Sequence, residues 1–214
     1  MILIGQDGAI IQFKPNSIYM KKLLVIPAIL LSLGLFAQKF QLGLKGGVNI
    51  SNFSGGEFRN IDKKALVGFH GGGFVSFLLG DNFAIQPEVL FSSQGAKLKG
   101  AGSEENFKVS YLNIPLLAKY RFNGGFYLEA GPQVGFKLNE SVPNNTINSF
   151  AKNLDLSIDA GLGFHSRSGF GIGGRYTAGI SKVGDFNSET INPDFKNGVV
   201  QLFVFLTLFN NNRD

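Results

Sequence analysis

The chain of 214 residues contains two histidines, His70 and His165, and they are the first candidates for chemistry. His165 precedes Ser166 in FHSRSGF, which sets a base beside a hydroxyl. His70 lies in GFHGGG, and that run and GFGIGG have the glycine density of loops that cradle phosphates. A phosphate loop works by opening the N-terminus of a helix, and neither run leads into a helical period. His70 has no serine near it in sequence, and a general base must reach the proton it takes. With no cysteine there is no disulfide, thiolate metal site or lipid-modified N-terminal Cys, and no other residues carry metal-ligand spacing. We therefore expect no catalytic, cofactor-binding or metal-ligating residues, hence no enzyme, and read both histidines as filling a polar interior.

The charged residues say more, because they fall within stretches of strict alternation. From Lys39 onward period two dominates. In KFQLGLKGGVNISNF, Phe40, Leu42, Leu44, Val48 and Ile50 share one face, and Gln41, Lys45, Asn49 and Ser51 the other. FYLEAGPQVGFKLN and LDLSIDAGLGFH repeat the pattern and put Glu129, Asp155 and Asp159 on polar faces. Eight strands are expected, near 39–53, 65–78, 82–95, 107–122, 126–138, 153–165, 169–182 and 198–209. Long polar connections near 54–64, 96–106, 139–152 and 183–197 alternate with three short turns, FLLGDNF, FNGGF and FHSRSGF. This rhythm is that of an all-β, eight-stranded, antiparallel up-and-down barrel. Pro87, Pro115 and Pro132 fall inside strands and argue against regular pairing.

Alternation does not say which face points inward. The phenylalanines decide, since each strand carries one on its apolar face at the short-turn end: Phe40, Phe77, Phe83, Phe122, Phe126, Phe164, Phe170 and Phe209. A ring of aromatics at one rim has no use in a soluble barrel, whereas a transmembrane barrel seats itself with such a girdle. In the last strand, VVQLFVFLTLF, both faces are equally apolar. Phe209 is placed outward only because the strand ends there. The N-terminal region agrees with export: MKKLLVIPAILLSLGLFAQ reads as a helical signal peptide over 20–37, its apolar run too short for the roughly 20 residues of a spanning helix. Residues 1–19 read as a mis-assigned upstream extension, 38–209 as the outer-membrane barrel and 210–214 as a polar tail. Lys14, Lys21 and Lys22 against Asp7 account for two of the five net positive charges, and no basic block remains. Nucleic acid is thereby excluded as a partner.

If Phe122 opposes Phe126 across its turn, Lys119 faces Glu129; if Phe164 opposes Phe170, Asp159 faces Arg175. Both pairs would lie in the lumen, and a one-residue slip would turn them toward lipid. With Lys45 and Glu88 at similar height, they would plug a lumen that is in any case only wide enough for side chains.

GFHGGGFVSF (68–77), IQPEVLFSSQGAK (85–97), YLNIPLLAKYRF (111–122), LEAGPQVGF (128–136), GRYTAGISKV (174–183) and the terminal Phe209 occur in an order that resembles the PorT-like family of bacterial outer-membrane β-barrels. The resemblance covers about 38–209. It implies residence in the outer membrane among its lipids and insertion by the barrel-assembly machinery, with the last strand as sorting signal; it implies no cofactor. The leading functional expectation is a structural or interaction barrel whose long outer loops meet an unknown protein or ligand. Two alternatives stay open: a component of a protein secretion apparatus, as for the family's namesake, and a lipid-modifying barrel enzyme. The enzyme reading is disfavoured because His165 and Ser166 lie at the short-turn end, away from the outer leaflet.

Overall fold

The computed structural model describes residues 2–4, 10–12, 39–55, 62–99, 104–141, 151–183 and 195–211. The expected signal peptide, 20–37, and residues 212–214 of the tail lie outside them. The chain divides into two units, Met1–Gln38 and Lys39–Asp214. In the first, Ile2–Ile4 (β1) pairs antiparallel with Ile10–Gln12 (β2). Sequence reading finds no periodic element in 1–19, since three-residue strands are too short to show alternation.

In the second unit, β3 (Phe40–Gly55), β4 (Asp62–Leu79), β5 (Phe83–Lys99), β6 (Glu104–Arg121), β7 (Phe126–Ser141), β8 (Leu154–His165), β9 (Phe170–Gly179) and β10 (Phe195–Asn210) form one closed antiparallel barrel. Each strand pairs with the next and β10 returns to β3. Closure leaves no unpaired edge, as a hydrocarbon environment demands. The barrel is inside out relative to a soluble one. Lys45, Glu88, Glu129, Asp159 and Arg175 are at most 5 % exposed, while Val67, Phe69, Leu128, Leu162 and Ile172 are at least 50 % exposed. Only a lipid-facing exterior makes that distribution favourable, because a charge on the lipid face costs about 2–4 kcal/mol at the bilayer midplane.

Several strands run further toward the long connections than alternation suggests. β5 and β6 continue through Leu98↔Glu105 to Lys99↔Glu104. Polar residues on both faces erase the period there without preventing the backbone from pairing. Spanning takes about 9–11 residues, so the 17 and 18 residues of these strands carry them past the hydrocarbon. The prolines coexist with regular pairing because each keeps a partner in one ladder, Pro87↔Leu116, Pro115↔Gln133 and Pro132↔Ile158, while the ladder on its other side steps over it. Beside Pro87, the β4–β5 ladder goes from Phe74↔Glu88 to Phe77↔Ile85, and beside Pro132, the β6–β7 ladder goes from Pro115↔Gln133 to Ala118↔Ala130.

All three short turns have three residues. Leu79 pairs with Phe83; Phe122 N donates to Phe126 O at 2.8 Å, and Ser166 N donates to Phe170 O at 2.8 Å. The second turn gives the expected register, with Lys119 opposite Glu129. The third does not: Phe164 pairs with Ile172 rather than Phe170, so Asp159 faces Thr177, and Gly161 faces Arg175. Gly169, at φ 93°, is the cause. It ends a tight 167–169 turn, as Gly125 at φ 96° ends 123–125, and a left-handed glycine closing a three-residue loop fixes the strands on either side. The shift is two residues, so Asp159 and Arg175 keep their lumenal face.

The ambiguous last strand resolves by a bulge. Phe203 and Phe205 point inward and Val200, Leu202, Val204 and Leu206 outward. The register then shifts between Thr207 and Phe209, which turns Phe209 outward, 50 % exposed. A β-carbon at Gly125 would lie 2.7 Å from His165 O, and the left-handed backbone itself costs an L-residue about 1–2 kcal/mol. Gly125→Ala should therefore lower the urea midpoint of the refolded barrel by at least that equivalent, while Asn123→Ala in the same turn should change it by less than about 0.5 kcal/mol. Equal midpoints for the two variants would show that the turn does not set the register.

Candidate functional site

The lumen is filled by a cluster of six charges built from six strands. Arg175 on β9 is its hub. Its Nη1 and Nη2 donate to Glu88 Oε2 and Oε1 at 3.0 and 3.1 Å, and its Nε and Nη2 donate to Glu129 Oε1 at 2.9 and 2.6 Å. Asp159 Oδ2 lies 3.6 Å from Nη1, and the other Asp159 oxygen accepts from Thr177 Oγ1 at 2.6 Å. Lys45 Nζ reaches Glu88 Oε1 at 2.5 Å. Lys119 Nζ stands 3.8 Å from Glu129 Oε2 and 3.4 Å from Gln86 Oε1. Three cations thus meet three carboxylates with no residual charge, all but sealed from water. The side chains of Arg175, Glu88 and Glu129 are 0 % exposed. Buried charges persist only when paired and hydrogen-bonded.

Neighbouring residues make this convergence possible. Lys45 and Glu88 belong to β3 and β5, which are separated by β4. The β4 residue between them is Gly72, paired with Lys45 on one side and with Leu90 on the other; a β-carbon there would clash with the carbonyl of Val89, so the missing side chain lets β4 and β5 approach closely. Aromatic rings supply a second layer of contacts: Lys119 Nζ sits 3.7 Å from the Tyr127 ring centre and Lys45 Nζ 4.2 Å from that of Phe203. Such cation–π contacts reach about 2 kcal/mol when desolvated. Phe203 also packs over Gly173, where an added β-carbon would lie 2.7 Å from its ring. In GFGIGG, Gly171 and Gly173 are therefore the room that the Phe205 and Phe203 rings occupy, and in GFHGGG a β-carbon at Gly68 or Gly72 would meet the β5 backbone; neither run is a phosphate loop.

On the long-loop side of the ion cluster lies a neutral polar tier. Asn49 Nδ2 donates to Ser92 Oγ at 3.0 Å and to Phe69 O at 3.1 Å. Its Oδ1 accepts from Gln201 Nε2 at 3.3 Å and from His70 Nδ1 at 2.8 Å. His70 is thus a structural donor. Beyond this tier an apolar cap of Phe53, Ala96, Val109, Tyr111, Ala151, Val183 and Phe195 closes that end. Ala151 and Val183 come from the connections flanking β8 and β9, joined where Lys152 N donates to Val183 O at 2.8 Å. At the short-turn end the eight phenylalanines occupy the rim. Phe40 and Phe77 are partly exposed and face each other across the β3–β4 ladder. Phe83, Phe122, Phe126, Phe164, Phe170 and Phe209 are 38–64 % exposed. Phe126 packs edge-on against Phe164 at 5.6 Å, and Phe40 packs tilted against Phe209 at 5.3 Å. His165 is held beneath them between Arg121 and Thr207.

The structure brings together all six charges named from sequence, but with a different distribution of bonds. Arg175 pairs first with Glu88 and Glu129, which hairpin arithmetic alone does not link, and only at longer range with Asp159. Gln86, Thr177, Tyr127 and Phe203 were missed. Gln86 and Thr177 sit two residues from Glu88 and Arg175, and inward-facing neighbours at that spacing are the signal that would have found them.

The profile of a family described as outer membrane protein beta-barrel domain matches residues 36–185. No curated protein matches the chain. Among solved structures it is similar to Neisserial surface protein A, at 17 % identity and TM-score 0.48 over 78 % of this chain and 97 % of that one. It is also similar to OprG from Pseudomonas aeruginosa, at 11 % and 0.46 over 80 % and 97 %, and to Ail of Yersinia pestis, at 17 % and 0.44 over 78 % and 97 %.

Removing one member of a buried ion group strands the others, at a cost of about 3–5 kcal/mol. Arg175→Met should therefore shift the urea midpoint of the refolded barrel strongly downward. Replacing the outward-facing Tyr176 by Leu should leave the midpoint nearly unchanged. A midpoint unaffected by Arg175→Met would mean that the carboxylates are held by something other than the guanidinium.

Proposed function

The chain belongs to the family of outer-membrane β-barrel domains, and from that premise we propose that it is a non-conducting barrel that serves as a structural or interaction protein. It is a small eight-stranded barrel of the bacterial outer membrane. The observation that carries the reading is the filled lumen: a neutral six-charge cluster, a polar tier and an apolar cap in succession. Contact with a partner then falls to the surfaces beyond the membrane, foremost the connections 56–61, 100–103, 142–150 and 184–194 at the end opposite the short turns. We take lipid to be the barrel's lateral partner, with the phenylalanine rim seated at the interface nearer the short turns. Insertion by the barrel-assembly machinery through the last strand is part of the same reading. Lipid-modifying chemistry is not, because His70 is enclosed within the lumen and His165 is engaged by Arg121 and Thr207.

The PorT-like order of motifs supports a narrower second reading, in which the interaction partner is a protein secretion apparatus. Photo-crosslinking from Asn145 in intact cells separates the two: adducts with secretion components favour the narrower role, and adducts with other envelope proteins or ligands the general one. The closed lumen has its own test. In planar bilayers the refolded barrel should show no steady conductance above the bare membrane, and stable ohmic steps from the wild-type protein would overturn the plug.

A further inference from the structure

At the short-turn end the lumen opens into a recess of about 550 Å³ between the three turns, lined by Asn82, Arg121, Asn123, His165, Ser166 and Arg167 among others. A second pocket of about 200 Å³ shares Arg121, His165, Ser166 and Arg167 and adds Gln41 and Thr207. The electrostatics here differ from those of the rest of the barrel. Every cation of the central cluster meets a carboxylate. Arg121 is only partly exposed, yet among the described residues its guanidinium meets only neutral acceptors: Gln41 Oε1 at 3.5 Å and the ring nitrogen Nδ1 of His165. Arg167 stands exposed at the lip with no ion pair among the described residues. Asp81 lines the same recess and pairs with neither arginine.

The surroundings fix Arg121 rather than neutralise it. His165 Nε2 lies 3.2 Å from Thr207 Oγ1 and its ring stands edge-on to Phe205 at 4.9 Å. With Nε2–H donating to the threonine, Nδ1 is left as an acceptor for the guanidinium. Asn82 Nδ2 donates to the Arg121 carbonyl at 2.6 Å. An arginine held in place by neutral groups, short of an anion and beside a second free arginine, has the composition of an oxyanion site, because the guanidinium fork matches phosphate oxygens in pairs. The recess also borders Phe122 and Phe164, which are 46 % and 38 % exposed on the lipid-facing rim. That places its opening near the level of phospholipid headgroups.

We propose that this turn-end recess binds a phosphate group, with Arg121 and Arg167 as its ligands, carried either by an anionic phospholipid of the adjacent leaflet or by a free phosphate. Arg121 supplies the inner contact and Arg167 closes over the group from the lip. The role is independent of whatever the long connections bind.

The full chain, refolded in a phosphate-free maltoside detergent, would be titrated calorimetrically with inorganic phosphate, with dihexanoyl phosphatidylglycerol and with dihexanoyl phosphatidylcholine. The expected result is saturable binding of one phosphate or one phosphatidylglycerol per barrel, stronger than that of the zwitterionic lipid. Arg167→Gln should weaken it about tenfold or more, as losing a hydrogen bond to a charged group does, and Arg121→Gln should weaken it further. Preference for phosphatidylglycerol identifies the source as a headgroup, and preference for inorganic phosphate as a free anion. If Arg121→Gln fails to show heat-modifiable migration, the exposed Arg167→Gln decides alone. Absence of saturable binding to either anionic probe overturns the proposal, as does wild-type affinity in the Arg167→Gln variant.

Discussion

One constraint governs this molecule: a closed backbone in hydrocarbon leaves a polar side chain nowhere to go but the lumen. The apolar half of every strand is committed to lipid, and the other half must fit inside a ring of eight strands barely wider than its own side chains. Charges forced into that space have to cancel locally. Arg175 achieves this with one guanidinium that donates to two glutamates, Glu88 and Glu129, from strands far from each other in sequence. Lys45 and Lys119 then balance what remains. A lysine at 175 would be one point charge where a planar fork is required.

The same crowding explains the distribution of glycine and aromatic residues. Where a ring crosses the lumen, the strand beneath it carries a glycine, as Gly173 does under Phe203 and Gly171 does under Phe205. The two ends of the lumen are not equivalent. Toward the long connections it closes with an apolar cap, and toward the short turns it ends in an open recess lined by Arg121, Arg167 and Asp81.

Much of this could be read from the chain because lipid imposes period two so strictly. LDLSIDAGLGFH allows one assignment of faces, and FNGGF with its glycine turn fixes Lys119 opposite Glu129 without further information. The limits are physical as well. FHSRSGF brackets its turn with phenylalanines, but Gly169 sets the turn length, so Asp159 faces Thr177 instead of Arg175. VVQLFVFLTLF is apolar on both faces because its inward Phe203 and Phe205 cover the ion cluster, and no pattern shows the bulge that turns Phe209 outward. Contacts across the lumen, such as Arg175 with Glu88, join strands that share no hairpin. They depend on barrel closure, which adjacent-strand arithmetic cannot supply.

The central claim is that one arginine organises the interior, and solid-state NMR of the barrel in lipid bilayers addresses it directly. With guanidinium nitrogens labelled by 15N and carboxylate carbons by 13C, distance-dependent dephasing would be recorded at Arg175. Nitrogen–oxygen separations of 3.0 Å to Glu88 and 2.6 Å to Glu129 predict strong dephasing from both glutamates, weaker dephasing from Asp159 and guanidinium protons slow to exchange with water. An Arg175 that dephases against neither glutamate and exchanges freely with solvent would contradict the account.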